Sequence, residues 1–478
     1  MKLTQLEVLS RKEILQIHEA TLKILAETGI NIDSPRAMKI FDEAGAQVDY
    51  YKNIIRIPKQ LVEDSLRSAP RKVTFYNTRS KDIAFVLGDG DIHTVRDGHE
   101  IFIMDSDTGK RRSISKSDVI QLITLADALP NIDMVLPAGQ PQDVPPEATT
   151  LHGVEAVFRT TKKPLFFSCE GGLSLIRSVL ELARVVSGEE DLSKHPVLLC
   201  EFSPTSPLSW KPDVIEAFIE VVKTGVPCSV LPMPLSGVSA PYTLAGQLIV
   251  HNAEALSGIV LSQIVKNGTP IEYGQCPSTF DMRKTNIQFA SPEAVMLRIA
   301  GTQLANFYEI PVRSAEFTPD SFTLDIQNGW ENMLTGLLTL LSGIDLFLGL
   351  GAFGTCLTIS KEKMIIDNEI FGIISRLRKG LYVSEETMAT EIIRKAGPNG
   401  TYIDTEHTIK QLRTGEHWEP AVTNRESYEN WINKGSPAIE KIAKEIADEI
   451  LKTHKIEQLD KYKQSEINRI IEKYEAQF

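Results

Sequence analysis

From Pro130 onward the chain repeats one pattern: a short apolar run, a loop, then an amphipathic helix. The runs are Met134 to Leu136, Leu165 to Ser168, Val197 to Glu201, Cys228 to Leu231, Ile271 to Gly274, Val312 to Ser314 and Ile344 to Gly349. Helix punctuation separates them, as in Val214 to Lys223, closed by Gly225 and Pro227, and in Ser291-Pro292-Glu293, which places proline at a first helical position. Strands buried on both faces read as continuous apolar runs, and their alternation with helices dictates a parallel sheet. Seven or eight such units predict an α/β chain closed into a (β/α)8 TIM barrel. A doubly wound sheet is the weaker reading, and no GxxxxGK[ST] loop occurs anywhere.

The flanks read differently. Ser10-Arg-Lys-Glu13 is a capping box opening a helix with Ile14, Ile17, Leu22 and Leu25 on its face, ended by Gly29. Strand-like runs then appear at Val73 to Tyr76 and Ile101 to Met104, separated by glycines, which suits hairpins. Residues 1–114 are therefore expected to form an N-terminal α+β extension. A second capping box, Ser115-Lys-Ser-Asp118, opens the barrel domain at 115–400, and 401–478 reads as a C-terminal helical segment. In that tail Ile439, Ile442, Ile446 and Ile450 share one helical stripe, which either packs on the barrel or joins subunits.

With 478 residues, 42% apolar and 24% charged, the chain has ordinary globular composition and ample length for a large core. Its formal charge of −12 repels phosphate backbones and anionic bilayers, so neither nucleic acid nor a membrane is an expected partner. The five cysteines are scattered without a CxxC pair, and the N-terminus lacks a signal-peptide pattern, which places the chain in the cytoplasm. The stretch Leu337 to Gly354 is interrupted by Ser342, Gly343 and Asp345, so no transmembrane helix is expected.

Barrel chemistry sits where strands end. Glu201 closes the third run, Glu272 and Tyr273 the fifth, and Arg313 and Glu316 the sixth. Asp320, Asp325, Gln327 and Glu331 follow, with Asp325 best placed to cap a helix. Glu201 and Glu272 follow buried runs directly, and a carboxylate there must find a partner or a ligand. No HxH, HExxH or spaced Cys/His set occurs and the nine histidines are dispersed, so no protein-bound zinc is expected.

Several separate stretches resemble the trimethylamine methyltransferase superfamily. They are Ser203-Pro-Thr-Ser-Pro-Leu208, Glu272-Tyr-Gly with Asp281-Met-Arg283, Asp325 to Glu331, Ile366-Asp-Asn-Glu369, and His407 to Arg413 with Trp418. The resemblance implies a barrel that moves a methyl group from a methylated amine to the cobalt of a corrinoid (cobalamin-type) cofactor carried by a separate, cognate protein, and it leans toward a homo-oligomer. Trimethylamine-using members carry pyrrolysine near the seventh run, whereas Gly349 to Ile359 contains ordinary residues. The chain thus looks like the non-pyrrolysine branch, which demethylates quaternary amines such as glycine betaine; proline betaine, carnitine and γ-butyrobetaine stay open.

A quaternary nitrogen has no lone pair for a Lewis acid and leaves as a neutral tertiary amine, while the Co(I) nucleophile comes from the corrinoid. No catalytic side chain is then required, only a pocket that holds the cation and aims one methyl group. Phe353, Tyr273 and Phe317 are the aromatic candidates for cation–π contact, with core packing the plainer reading of Phe317. Glu272 and Glu201 are the candidate carboxylates. A betaine carboxylate would need a cationic partner, Arg313 first and Arg283 second. His407 and Arg413, as motif matches, are assigned to the corrinoid entrance. Two rival classes stay open: a lyase or hydrolase using Glu201 and Glu272 as acid and base, and a binding or sensing protein for quaternary amines.

Overall fold

Each apolar run becomes a strand because each must bury both faces, and the helices that follow cover the outer one. The computed structural model describes residues 6–96, 98–137, 139–169 and 171–478. Eight parallel strands close a barrel: β1 (His93–Arg96), β2 (Met134–Val135), β3 (Leu165–Ser168), β4 (Leu198–Phe202), β5 (Cys228–Val230), β6 (Ile271–Gln275), β7 (Val312–Ala315) and β8 (Leu346–Leu350). Helices follow in turn: α1 (Lys116–Ala128), α2 (Thr149–Thr160), α3 (Gly172–Ser187), α4 (Pro212–Thr224), α5 (Leu244–Val265), α6 (Pro292–Tyr308), α7 (Ile326–Ser342) and α8 (Lys361–Lys379). The expected TIM barrel is therefore present in full.

One boundary needs correcting. The seven apolar runs are β2 to β8, and the remaining strand, β1, lies inside the segment 1–114 that was read as an extension. Its sequence, His93-Thr-Val-Arg96, carries apolar character only at Val95, so no continuous run marks it. Its polar side chains are partnered instead: His93 stacks on Phe85, and Arg96 donates to the Leu136 carbonyl and pairs with Glu100. The spacing Gly349-Leu-Gly-Ala-Phe-Gly354, which begins inside β8, also matches a dinucleotide-binding fingerprint. Here Ala352–Phe353 is a strand and the next helix starts only at Lys361, so the turn has no helix N-terminus of the kind a pyrophosphate uses.

The hairpin Val73–Tyr76/Ile83–Leu87 closes the end of the barrel where the strands begin. Its Phe75, Phe85 and Leu87 share one apolar cluster with the lumen residues Val95, Met134, Phe166, Leu199 and Leu348. The rest of the N-terminal region, three short antiparallel strands joined by Ser209–Trp210 and helices at Arg11–Lys23, Pro35–Glu43 and Lys59–Ser68, packs over α5. This cover explains why α5 is buried on nearly every side. Among the described residues it is the one helix long and apolar enough to cross a membrane, and 78% of its apolar window is buried inside the fold.

At the other end, Ala352–Phe353, Thr358–Ile359, Phe102–Met104 and Arg111–Ser113 form a small sheet beside the barrel mouth. The tail forms α9 (Ile439–Thr453) and α10 (Lys461–Glu475), which pack on α8 and α3 respectively. Ile442, Ile446 and Ile450 face the core around fully buried Ala443 and Ala447, so the stripe packs on the barrel. Only Ile439 is left substantially exposed, at 41%. His454 Nε2 lies 2.7 Å from Asp127, and His152 Nε2 lies 2.9 Å from Glu475, tying the tail down.

Candidate active site in the barrel lumen

Side chains alternate across a strand, so each strand end contributes one residue to the lumen and its neighbour to the helix layer. Glu201 on β4, Ser229 on β5 and Glu272 on β6 sit in register across the sheet. From β7, Arg313 forms an ion pair with Glu201 and places Nε 3.4 Å from Glu272, with its guanidinium 4.9 Å from the Phe166 ring centre. All three charged groups are buried; Arg313 is 1% exposed. Two carboxylates against one guanidinium leave an excess of negative charge when all are ionised. Burial pushes Glu272 up to about 8, opposed by the Ser229 hydroxyl beside it. Among the described residues, Glu201 Oε1, both Glu272 oxygens and the Ser229 hydroxyl lack a hydrogen bond of ordinary geometry. A buried polar cluster with unmet acceptors at the strand ends of a barrel is a candidate ligand site.

The sequence-based candidates separate cleanly. Glu201, Glu272 and Arg313 converge. Tyr273 does not join them: odd in the β6 alternation, it faces the helix layer, where its hydroxyl donates to Asn252 Oδ1 at 3.0 Å and lies 3.1 Å from His251 Nδ1. Phe317 is also a packing residue. Its ring meets Phe347 edge-on at 4.7 Å and lies so close to α7 that a Cβ on Gly336 would fall 2.2 Å from it. Phe353 differs from both, because it is 1% exposed yet belongs to neither apolar cluster of the fold. Arg283 is exposed in the turn of the hairpin Thr279–Asp281/Asn286–Gln288, where its N–H donates to Asp281.

His407 and Arg413 are not at the mouth. Helices run antiparallel to the strands they follow, so the C-terminal end of α8 lies where strands begin. There Arg378 reaches the Gly90 carbonyl ahead of β1, and Arg376 donates to the Glu416 carbonyl at 3.0 Å. Glu416 and His407 line one small cavity of about 260 Å³, and Arg413 is exposed nearby in the chain. A motif match carried no information about which end of the barrel it occupied. A larger cleft of about 880 Å³ opens at the same end, among Asp133, Asp345, Phe371 and Arg378. Barrel chemistry belongs to the opposite face.

The other motif acids serve as fasteners of mouth loops. Asp325 caps α7 by accepting from the Asn328 N–H, as expected. Glu331 accepts from the N–H groups of Asp320 and Ser321, and Asp320 from those of Phe289 and Ala290. Glu254 on α5 accepts from Ser206 Oγ and the Leu208 N–H, which accounts for the Ser203 to Leu208 stretch. Glu316 pairs with Arg298 between sheet and helices. Sequence reasoning missed Ser229, Phe166, Arg298 and the buried Lys363–Asp367 pair; only Asp367 had a signal, the Ile366-Asp-Asn-Glu369 motif. Beyond the loops, Met233, Tyr242, Met282, Phe322, Ile326 and Trp330 stand exposed around the mouth. Among the described residues no group of three or more His, Cys, Asp or Glu side chains is arranged to hold a metal ion.

A plugged base, a polar lumen and exposed apolar residues on the loops after the strands define a TIM-barrel protein whose candidate site lies toward the C-terminal face. Comparison with known proteins narrows this class. The family model of trimethylamine methyltransferase (MTTB) matches residues 1–478, and the chain belongs to that family. It is 34% identical over 470 residues to trimethylamine methyltransferase MttB of Desulfitobacterium hafniense (strain DSM 10664 / DCB-2), covering 98% of this chain and 94% of that protein. It is 32% identical over 437 residues to a glycine betaine methyltransferase of Desulfitobacterium hafniense (strain Y51), covering 90% of each. The crystal structure of the Methanosarcina barkeri monomethylamine methyltransferase (MtmB) superposes with a TM-score of 0.52 at 13% identity, over 92% of this chain and 93% of that one, which establishes likeness of fold.

Proposed function

We propose that this methyltransferase-family protein transfers a methyl group from a small quaternary amine, glycine betaine first among them, to Co(I) of a corrinoid held on a separate protein. The C–N bond breaks with its electron pair staying on nitrogen, a tertiary amine leaves, and the methyl carbon bonds to cobalt. The observation that carries the reading is the carboxylate pair: among the described residues Glu201 and Glu272 share one buried guanidinium, that of Arg313, so that with both ionised the site suits a permanent cation. Phe353, buried at the mouth side outside the core clusters, supplies an aromatic wall for that cation. Held between two carboxylates, Arg313 is better suited to keeping them in place than to gripping a substrate carboxylate. The exposed apolar rim fits docking of the corrinoid carrier. The corrinoid supplies the nucleophile; this chain binds, orients and excludes water.

Convergence of Glu201 and Glu272, with Glu272 pushed upward, also meets the geometric demand of an acid/base lyase, although family membership weighs for methyl transfer. The test is a methyl-transfer assay with reduced cobalamin and a panel of glycine betaine, proline betaine, carnitine and γ-butyrobetaine. Methylcobalamin is expected from at least one of them. Formation from trimethylamine or a non-amine alone would overturn the substrate assignment.

A further inference from the structure

The end of β8 and the turn that follows it are an unusual piece of backbone. Gly349 has φ +137°, and a Cβ there would lie 1.5 Å from the Glu316 carbonyl oxygen; Gly351 has φ +104°. Glycine reaches such conformations readily, so keeping the chain in one of them calls for support from outside the turn. For Gly351 that support is its N–H donating to Asp367 Oδ2 at 2.8 Å. The same carboxylate, fully buried on α8, accepts from Asn332 Nδ2 of α7 at 2.8 Å and from Lys363 Nζ at 2.5 Å. One side chain thus joins two helices to the turn. Two residues beyond Gly351 stands Phe353, which is held by a two-residue pairing with Thr358–Ile359.

A buried ion pair is a poor way to gain stability, since apolar residues of equal volume do as well. What an apolar residue cannot do is hold a backbone N–H in place. We propose that Asp367 is a positioning residue, which fixes Gly351 and through it the placement of the Phe353 ring. The inference rests on the reading of Phe353 as a wall of the cation site.

The test compares two charge-neutral double variants of the full chain, K363M/D367N, which keeps an acceptor, and K363M/D367L, which removes it. In the Leu variant, amide hydrogen exchange across 349–354 is expected to quicken about tenfold, and KM for the best quaternary amine to rise about tenfold with a smaller change in kcat. The Asn variant is expected to stay within about twofold of wild type on both, with an unfolding midpoint close to that of the Leu variant. Equal exchange and equal KM in the two variants would overturn the proposal. Should the Leu variant not fold, Asn332→Ala, which removes one of the two donors to Asp367 Oδ1 and leaves Lys363 as the other, is expected to move both readouts the same way by about threefold, and no movement would count against the idea. If the wild type accepts no quaternary amine, the substrate reading fails by itself, and the exchange comparison still decides whether Asp367 holds the turn.

Discussion

Replacing Phe353 by leucine isolates the one ring assigned to the substrate. Leucine keeps most of the apolar volume and removes the π face, so the change avoids the large cavity an alanine would leave. A cation over an aromatic face gains about 0.5–1 kcal/mol when exposed and about 2 kcal/mol when desolvated. At 1% exposure Phe353 is in the desolvated regime. The expected loss is therefore near 2 kcal/mol, or about thirtyfold in KM for a quaternary amine. Two controls come from the same geometry. Phe317→Leu disturbs packing against Phe347, and Tyr273→Phe removes hydroxyl contacts to Asn252 and His251 in the helix layer. Both are expected to lower thermal stability while leaving KM within about twofold, since neither ring faces the lumen. The readout is steady-state methyl transfer to reduced cobalamin, with substrate binding by calorimetry. A KM for Phe353→Leu no higher than for the two controls would refute the assignment of this ring.

Glu272 gives a pH signature. Burial raises it to about 8, so it gains its charge as pH passes upward through that value, while a quaternary amine keeps its own charge throughout. KM is expected to fall roughly threefold to tenfold between pH 7 and 9, and Glu272→Gln to flatten the profile. Arg313→Met leaves two buried carboxylates without their shared cation, and urea titration is expected to show a loss of about 3–5 kcal/mol, restored when Glu201→Gln and Glu272→Gln are added. At the tail, the hydrogen bond to Glu155 raises the His152 pKa, helped by Glu475 and opposed by burial. Its stabilising contribution is full below about pH 6.5 and is lost as pH rises through the raised value. Amide exchange in α10 is therefore expected to quicken above neutrality in wild type and to lose that dependence in His152→Gln.

Most of the barrel was legible because the strands had to be apolar on both faces, and that demand writes itself as continuous runs. β1 was illegible for the opposite reason: it closes the barrel beside a plug, and its polar side chains are satisfied by Phe85, Leu136 and Glu100, none of which is deducible from local pattern. Site residues followed the same logic. Position at a strand end was enough to nominate Glu201, Glu272 and Arg313, yet the same criterion admitted Tyr273, since the parity that separates lumen from helix layer depends on strand register. Phe317 and Phe353 both lie just past a barrel strand, and only packing, that of Phe317 against Phe347 and Gly336, tells them apart. His407 and Arg413 lay outside the strand–helix repeat, where nothing local fixes which end of a barrel a segment visits.

The acids of this chain sort by what faces them. Asp320, Glu331, Glu254 and Asp367 meet backbone N–H groups, and those contacts spend their acceptor capacity on holding loops. Glu201 and Glu272 meet only partial compensation from Arg313, with acceptors left over at the centre of a barrel whose base is plugged. An uncompensated buried carboxylate is tolerated only where neutralisation or a ligand relieves it. With Glu272 free to take up a proton near pH 8, the empty lumen relieves itself by protonation, and a bound cation would relieve it by charge. Cation binding at neutral pH should therefore release protons, which calorimetry in buffers of differing ionisation enthalpy would register. A neutral ligand would release none, and finding no proton release with any quaternary amine that binds would remove Glu272 from the site.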